Sequence, residues 1–193
     1  MIKGSSQTLA IIGVISVIIL IFGGILLLDK SRDSGDSIGL NVGDEAPDFS
    51  VEDYSGKTIS LADYADKNIL LYFNEGVICA PCWQQIIQLQ KDREKFMALN
   101  TEIVTIGVDS ADSWKAIVEG NKIELPVLID ANKKMSMAYK ILNLSSSMHS
   151  GEKPGHTFVL VGTDRKIRWL GDYPDMRVTN EQILDKIKSS QTS

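Results

Sequence analysis

The chain has two cysteines among its 193 residues, and they stand together as Cys79-Ala80-Pro81-Cys82. Downstream, Trp83, Ile86, Ile87, Leu89, Phe96 and Met97 recur at helical spacing through Leu99, which places the pair at the start of a helix. A helix N-terminus carries free N–H groups and the positive end of the macrodipole, so a thiolate there is stabilised and its pKa falls. The i, i+3 spacing lets Cys82 close a disulfide with Cys79 with little rearrangement. Pro81 suits a first turn, where its missing N–H costs nothing. The chemistry implied is thiol–disulfide exchange. Cys79, ahead of the helix and the more exposed, is the attacking thiol; Cys82, deeper in the first turn, resolves the mixed disulfide.

The same pair has competing uses. It could be an inert structural disulfide. It could be half of a metal site, but zinc needs two further ligands. The two histidines, His149 and His156, are seven residues apart, outside the usual finger spacing. His156 could instead act as a proton acceptor beside the cysteines, or join Cys79 and Cys82 as a copper ligand, two thiolates and an imidazole being a soft donor set. Met148 and His149 would suit copper in kind, but a loop histidine and an apolar gap-filler are their ordinary uses. Trp83 could line a substrate groove, although the first apolar residue of a helix is more often core. Arg177 reads as a solvated loop residue.

The elements that must position these residues follow from apolar runs and breakers. Phe49–Asp53 and Lys57–Ser60 flank Tyr54-Ser55-Gly56 as a hairpin. Asn68–Asn74 (NILLYFN) and Ile103–Val108 (IVTIGV) read as strands buried on both faces. Ala111–Gly120 is a helix ended by glycine, Leu125–Ile129 a strand and Lys133–Ile141 a helix. Thr157–Val161 and Lys166–Leu170 form a hairpin around Gly162-Thr163-Asp164-Arg165, and Thr179 opens a last helix through Ile187, with Glu181 two residues on. Alternating strands and helices predict an α/β domain with a mixed central sheet flanked by helices. The cysteines fall at the carboxyl end of its first long strand, where open α/β sheets build their sites.

Ahead of this domain, Leu9–Leu28 is an uninterrupted apolar run with no charged residue. As a helix it would span roughly 30 Å, the hydrocarbon thickness of a bilayer. A cleaved signal would have a shorter apolar region and a small-x-small site, whereas this run ends Leu-Leu-Leu-Asp-Lys. The organisation expected is a short flank (1–8), one transmembrane anchor (9–28) in contact with lipid, a polar tether (29–41) and a single domain (42–193). Lys3 on one side and Lys30 with Arg32 on the other leave the positive-inside rule nearly balanced. The redox pair favours an oxidising compartment, so the catalytic domain of a single-pass cell-membrane protein is expected outside the cytoplasm. With 20 Lys and Arg against 25 Asp and Glu, the net charge is −5, and nucleic-acid binding has no electrostatic support.

Three stretches carry a family resemblance: Gly43-Asp44-Glu45-Ala46-Pro47-Asp48-Phe49, Gly56-Lys57-Thr58-Ile59-Ser60-Leu61-Ala62-Asp63-Tyr64, and the strand NILLYFN. They resemble the opening of the alkyl hydroperoxide reductase/thiol-specific antioxidant (redoxin) family. Leu125–Asp130 and His156–Val161 resemble its later strands, so the likeness runs from about Val42 to the end of the chain. The resemblance implies a thioredoxin-like fold and leaves two branches: membrane-tethered thioredoxins that exchange disulfides, and peroxiredoxins that reduce peroxides. Peroxiredoxins carry Pro-x-x-x-Thr-x-x-Cys. With Cys79 as that cysteine the matching residues are Tyr72 and Gly76; with Cys82 they are Glu75 and Cys79. The later peroxidase arginine falls near Gly155. The Cys-x-Pro-Cys matches the thioredoxin branch, although Ile78 stands where that branch has tryptophan and Tyr72 where it has a buried acid. The branch's cis-proline ahead of the Thr157 strand has Pro154 nearby, with His156 at the best-aligned position.

The reading is a membrane-anchored thiol–disulfide oxidoreductase without a cofactor. Cys79 and Cys82 are catalytic, with Pro81, Trp83, Pro154 and His156 supporting. Its partners would be protein disulfides or thiols and a thiol electron donor. A peroxide reductase and a copper-binding assembly factor using Cys79, Cys82 and His156 are the alternatives.

Overall fold

The computed structural model describes residues 40–191. The apolar run Leu9–Leu28, its flank and residues 29–39 of the tether lie outside them. Among the described residues no helix is long and apolar enough to cross a membrane.

Five strands form one sheet in the order β5-β4-β3-β6-β7: β3 (Asn68–Phe73), β4 (Thr101–Gly107), β5 (Val127–Ile129), β6 (Thr157–Val161) and β7 (Ile167–Asp172). Strands β3, β4 and β5 are parallel, while β6 and β7 run antiparallel, which gives the expected mixed sheet. A separate hairpin pairs β1 (Ser50–Glu52) with β2 (Thr58–Ser60). The helices are α1 (Ala80–Lys91), α2 (Arg93–Met97), α3 (Ala111–Asn121), α4 (Lys134–Ala138) and α5 (Asn180–Gln191).

The apolar run of β3 works because successive side chains point to opposite faces. Ile69, Leu71 and Phe73 enter one core with residues of the β1–β2 hairpin and Met135 of α4. Leu70 and Tyr72 enter the other, with Ile86 and Leu89 of α1, Trp114 of α3, and Ile183 and Ile187 of α5. Both faces are covered, so a strand with no polar alternation is the stable solution.

Two helices end earlier than the sequence predicts, and the last runs on to Gln191, past Ile187. The helix expected through Leu99 breaks at Asp92. There Asn180 of α5 donates through Nδ2 to the Gln88 carbonyl (2.7 Å) and to the Asp92 carboxylate (2.8 Å), taking a carbonyl at the helix end. Helix α4 stops at Ala138, short of Ile141. Lys140 adopts φ +53°, and the Ile141 N–H closes onto the Ser136 carbonyl (3.2 Å). The last helix is capped reciprocally, Thr179 Oγ1 accepting from Gln182 N and Gln182 Oε1 from Thr179 N. Gln182, rather than Glu181, completes the capping box.

Register decides where the site falls. Phe73 at the end of β3 pairs with Thr157 at the start of β6, which pairs in turn with Asp172 at the end of β7. Segments 74–79, 153–156 and 173–178 therefore meet at one end of the sheet.

Candidate active site

Cys79 is the N-cap of α1, and Ala80 and Pro81 open its first turn. Its carbonyl accepts from Cys82 N at 3.0 Å, so the turn itself brings the two side chains together. They are joined as a disulfide with Cα atoms 5.2 Å apart. Cys82 is fully buried, as expected for the inner thiol, but Cys79 is itself only 4% exposed. The expected exposure of Cys79 is thus corrected. Met176, in the loop after β7, lies over it, with Sδ 3.7 Å from Cys79 Sγ. Pro81 is exposed and Trp83 half-buried, packed against the α1 core rather than lining an open groove.

His156 is fully buried and is tied to the pair through Tyr72. The Tyr72 hydroxyl bonds its Nδ1 at 2.9 Å and donates to the Cys82 carbonyl at 3.3 Å. Tyr72 stacks on Phe158 (centroids 4.5 Å apart) and meets His156 edge-on. Tyrosine therefore fills the place of a buried acid with a neutral donor that links strand β3, the first turn of α1 and the start of β6. Burial pushes the Tyr72 phenol well above its ordinary value. Burial also drives His156 down to about 4, against the opposing pull of Asp175 and Asp172. The imidazole is thus neutral at physiological pH.

Because the folded-state pKa lies below the unfolded 6.5, the unfolded chain binds the extra proton between the two values, so stability falls as pH drops from 6.5 to 4. The expected cost across that window is roughly 3 kcal/mol. The denaturant midpoint of wild type should fall relative to that of His156→Gln as the pH is lowered from 7 to 4. Parallel curves would refute the assignment. Activity of His156→Ala near neutrality should stay within about threefold of wild type, since no imidazolium is present to lose.

Among the described residues every peptide bond is trans, so Pro154, though buried, is not the cis-proline of the resemblance. The bond entering Thr157 follows His156, and without proline a cis form there costs several kcal/mol. No three His, Cys, Asp or Glu side chains among the described residues are grouped to hold a metal ion. His149 lies instead beside Glu75, Nδ1 to Oε1 3.6 Å. Arg177 is exposed.

Several residues at the site carried no sequence signal. The Asp109 carboxylate accepts from Val77 N (2.8 Å) and from Lys153 Nζ (2.9 Å), and Lys153 also reaches the Glu75 carbonyl (3.3 Å). Asn74 donates to the Ile106 carbonyl (3.0 Å) and accepts from Gly76 N (3.0 Å). Glu75 is fully buried; one oxygen accepts from Met148 N and the other has no partner. Together they pin the segment entering Cys79 to the loops before β6 and after β4. Gly76 has φ +96°, and a Cβ there would fall 1.7 Å from Asp109 Oδ2, so the close approach requires glycine.

A cysteine pair at the head of the helix that follows the central strand of a thioredoxin-like sheet defines a thiol redox protein. The chain belongs to the AhpC/TSA family, whose model matches residues 42–170. Peroxiredoxin 2 of Picrophilus torridus is 30% identical over 162 residues, 79% of this chain and 76% of that protein. The thiol-disulfide oxidoreductase ResA of Bacillus cereus is 30% identical over 109 residues, 56% of this chain and 62% of that one. Among solved structures, peroxidoxin BcpB of Mycobacterium tuberculosis superposes with TM-score 0.67 at 18% identity, covering 78% of this chain and 97% of that one. The reduced 2-Cys peroxiredoxin of Plasmodium vivax gives 0.67 at 24%, covering 79% and 83%. At these identities the structural likeness carries the fold alone.

Proposed function

We propose that the protein is a membrane-anchored thiol–disulfide oxidoreductase whose working couple is Cys79–Cys82. The supporting observation is the closed pair in the first turn of α1, with Cys79 as N-cap. Substrates are protein disulfides or thiols, and a separate thiol protein exchanges electrons with the couple. The deciding experiment is the reduction potential of the Cys79–Cys82 couple together with turnover of insulin disulfides. A couple that neither equilibrates with glutathione nor reduces insulin is an inert staple. Leu9–Leu28 anchors the domain, which faces away from the cytoplasm; protease added to intact cells should remove the domain, and a domain left untouched argues against that side.

Peroxide reduction is the second reading, because peroxiredoxins stand among the relatives. Against it, Tyr72 and Gly76 occupy the places of the peroxidase proline and threonine, and Gly155 falls near the place of the arginine that comes just before the Thr157 strand. Nothing in those positions stabilises charge on the leaving oxygen. Reduced protein mixed with hydrogen peroxide should therefore react at the rate of an unassisted thiolate. Stopped-flow oxidation several orders of magnitude faster would promote the peroxidase. Copper held by Cys79, Cys82 and His156 would require the disulfide open. Two residues between the cysteines, proline second, favour the closed form, and Cu(I) retained against a chelator and lost in His156→Ala would reverse this preference.

A further inference from the structure

The outer loop after β7 reaches over the redox couple. Tyr173 N donates to the His156 carbonyl (3.0 Å) and Met176 N to the Tyr173 carbonyl (2.9 Å), while Val178 and Asn180 are buried at the head of α5. Between these anchors Met176 sits at φ +53°, a left-handed backbone that an unbranched side chain adopts only at a cost. What that conformation achieves is contact: Met176 Sδ lies 3.7 Å from Cys79 Sγ, and Cys79 is left 4% exposed. Two large apolar side chains are exposed on segments tied to the stretch that enters Cys79. Ile78 is 69% exposed and Met148, held by Glu75 through its backbone, is 66% exposed. An inner core position would explain a buried methionine, but Met176 is half-buried on a surface turn.

We propose that Met176 is a displaceable cover on Cys79 that makes the couple selective for a protein dithiol over small thiols. The inference rests on the exchange reading above. An incoming thiolate must form its bond to Cys79 Sγ as the Cys79–Cys82 bond breaks. The electron pair leaves on Cys82, which takes a proton from solvent. The partner's second thiolate then attacks the partner's first sulfur in the mixed disulfide and releases Cys79, which takes a second proton from solvent; the partner's two thiol protons have gone to solvent, so two electrons pass from the partner dithiol to the couple with no net change in protons. The cover must swing aside for the first step. A protein partner offsets that displacement by burying Ile78, Met148 and the moved thioether, a flexible and polarizable group suited to repacking. Glutathione has too little apolar surface to do so.

The test compares oxidised wild type, Met176→Ala and Met176→Leu in stopped-flow reduction by glutathione and by reduced thioredoxin as a probe dithiol protein. Met176→Ala should be reduced about tenfold faster by glutathione and within about threefold of wild type by thioredoxin; Met176→Leu, of similar volume, should stay slow with glutathione. A glutathione rate in Met176→Ala equal to wild type overturns the cover and leaves the exchange reading standing. Wild type that thioredoxin fails to reduce overturns the selectivity, and wild type that also fails to reduce insulin disulfides overturns the exchange reading with it. Equal acceleration of Met176→Ala by both reductants overturns the selectivity.

Discussion

Cys79→Ser is expected to abolish disulfide turnover, a loss of at least about a thousandfold, whereas Cys82→Ser should hold its partners as stable mixed disulfides. The asymmetry comes from position. Cys79 is the N-cap, and the helix dipole and free N–H groups act on it most directly, whereas Cys82 is fully buried within the first turn. Attack through Cys79 leaves Cys82 as the only thiol of this chain able to reach the mixed disulfide. Without it the intermediate with a partner that carries a single reactive thiol persists; without Cys79 no partner reaches an inner sulfur. Non-reducing electrophoresis of the two variants after incubation with a thiol protein separates the roles. Trapping by Cys79→Ser alone would reverse them.

Much of this chemistry is legible in the chain because it is local. The cysteines, Pro81 and the helix they open lie within one short stretch, Cys79–Lys91. The β3 and β4 runs announce strands covered on both faces, since only burial tolerates that composition. The residues that finish the site are not local. Asp109 meets Val77 across 32 positions, Glu75 meets Met148 across 73 and Met176 meets Cys79 across 97. Single polar or thioether side chains at such separations leave no periodicity. The break at Asp92 has the same origin, because the Asn180 that ends α1 lies 88 residues away. Tyr72 stood out for replacing an acid, but its link to His156 became visible only when strand register set Phe73 opposite Thr157.

Gly155→Ala should cost about 3 kcal/mol or more of stability, the upper range for overpacking. A Cβ at this position would lie 2.3 Å from the Ser146 carbonyl carbon, 2.4 Å from Ser147 N and 2.0 Å from Ser146 Oγ. Two of these atoms are backbone and cannot rotate away. Ser146 is held besides: its N–H donates to Asp172 Oδ2 at 3.0 Å, its hydroxyl to Asp172 Oδ1, and Thr157 Oγ1 bonds the same carboxylate at 2.9 Å. Relief of the clash must therefore move the 146–147 segment off Asp172 or push His156 out of line with Tyr72. The first route lowers the urea midpoint. The second also perturbs the couple, because Tyr72 binds the Cys82 carbonyl. This position is also where the peroxidase arginine of the family would fall. The packing admits no side chain there, so Gly155→Arg should unfold the domain and leave peroxide reactivity unimproved. A stable Gly155→Arg protein with faster peroxide oxidation would show that the arginine is tolerated and that its absence is what limits the reaction. Urea titration of Gly155→Ala beside Gly120→Ala, whose added methyl meets nothing within 4 Å, separates the local clash from any general effect of removing a glycine.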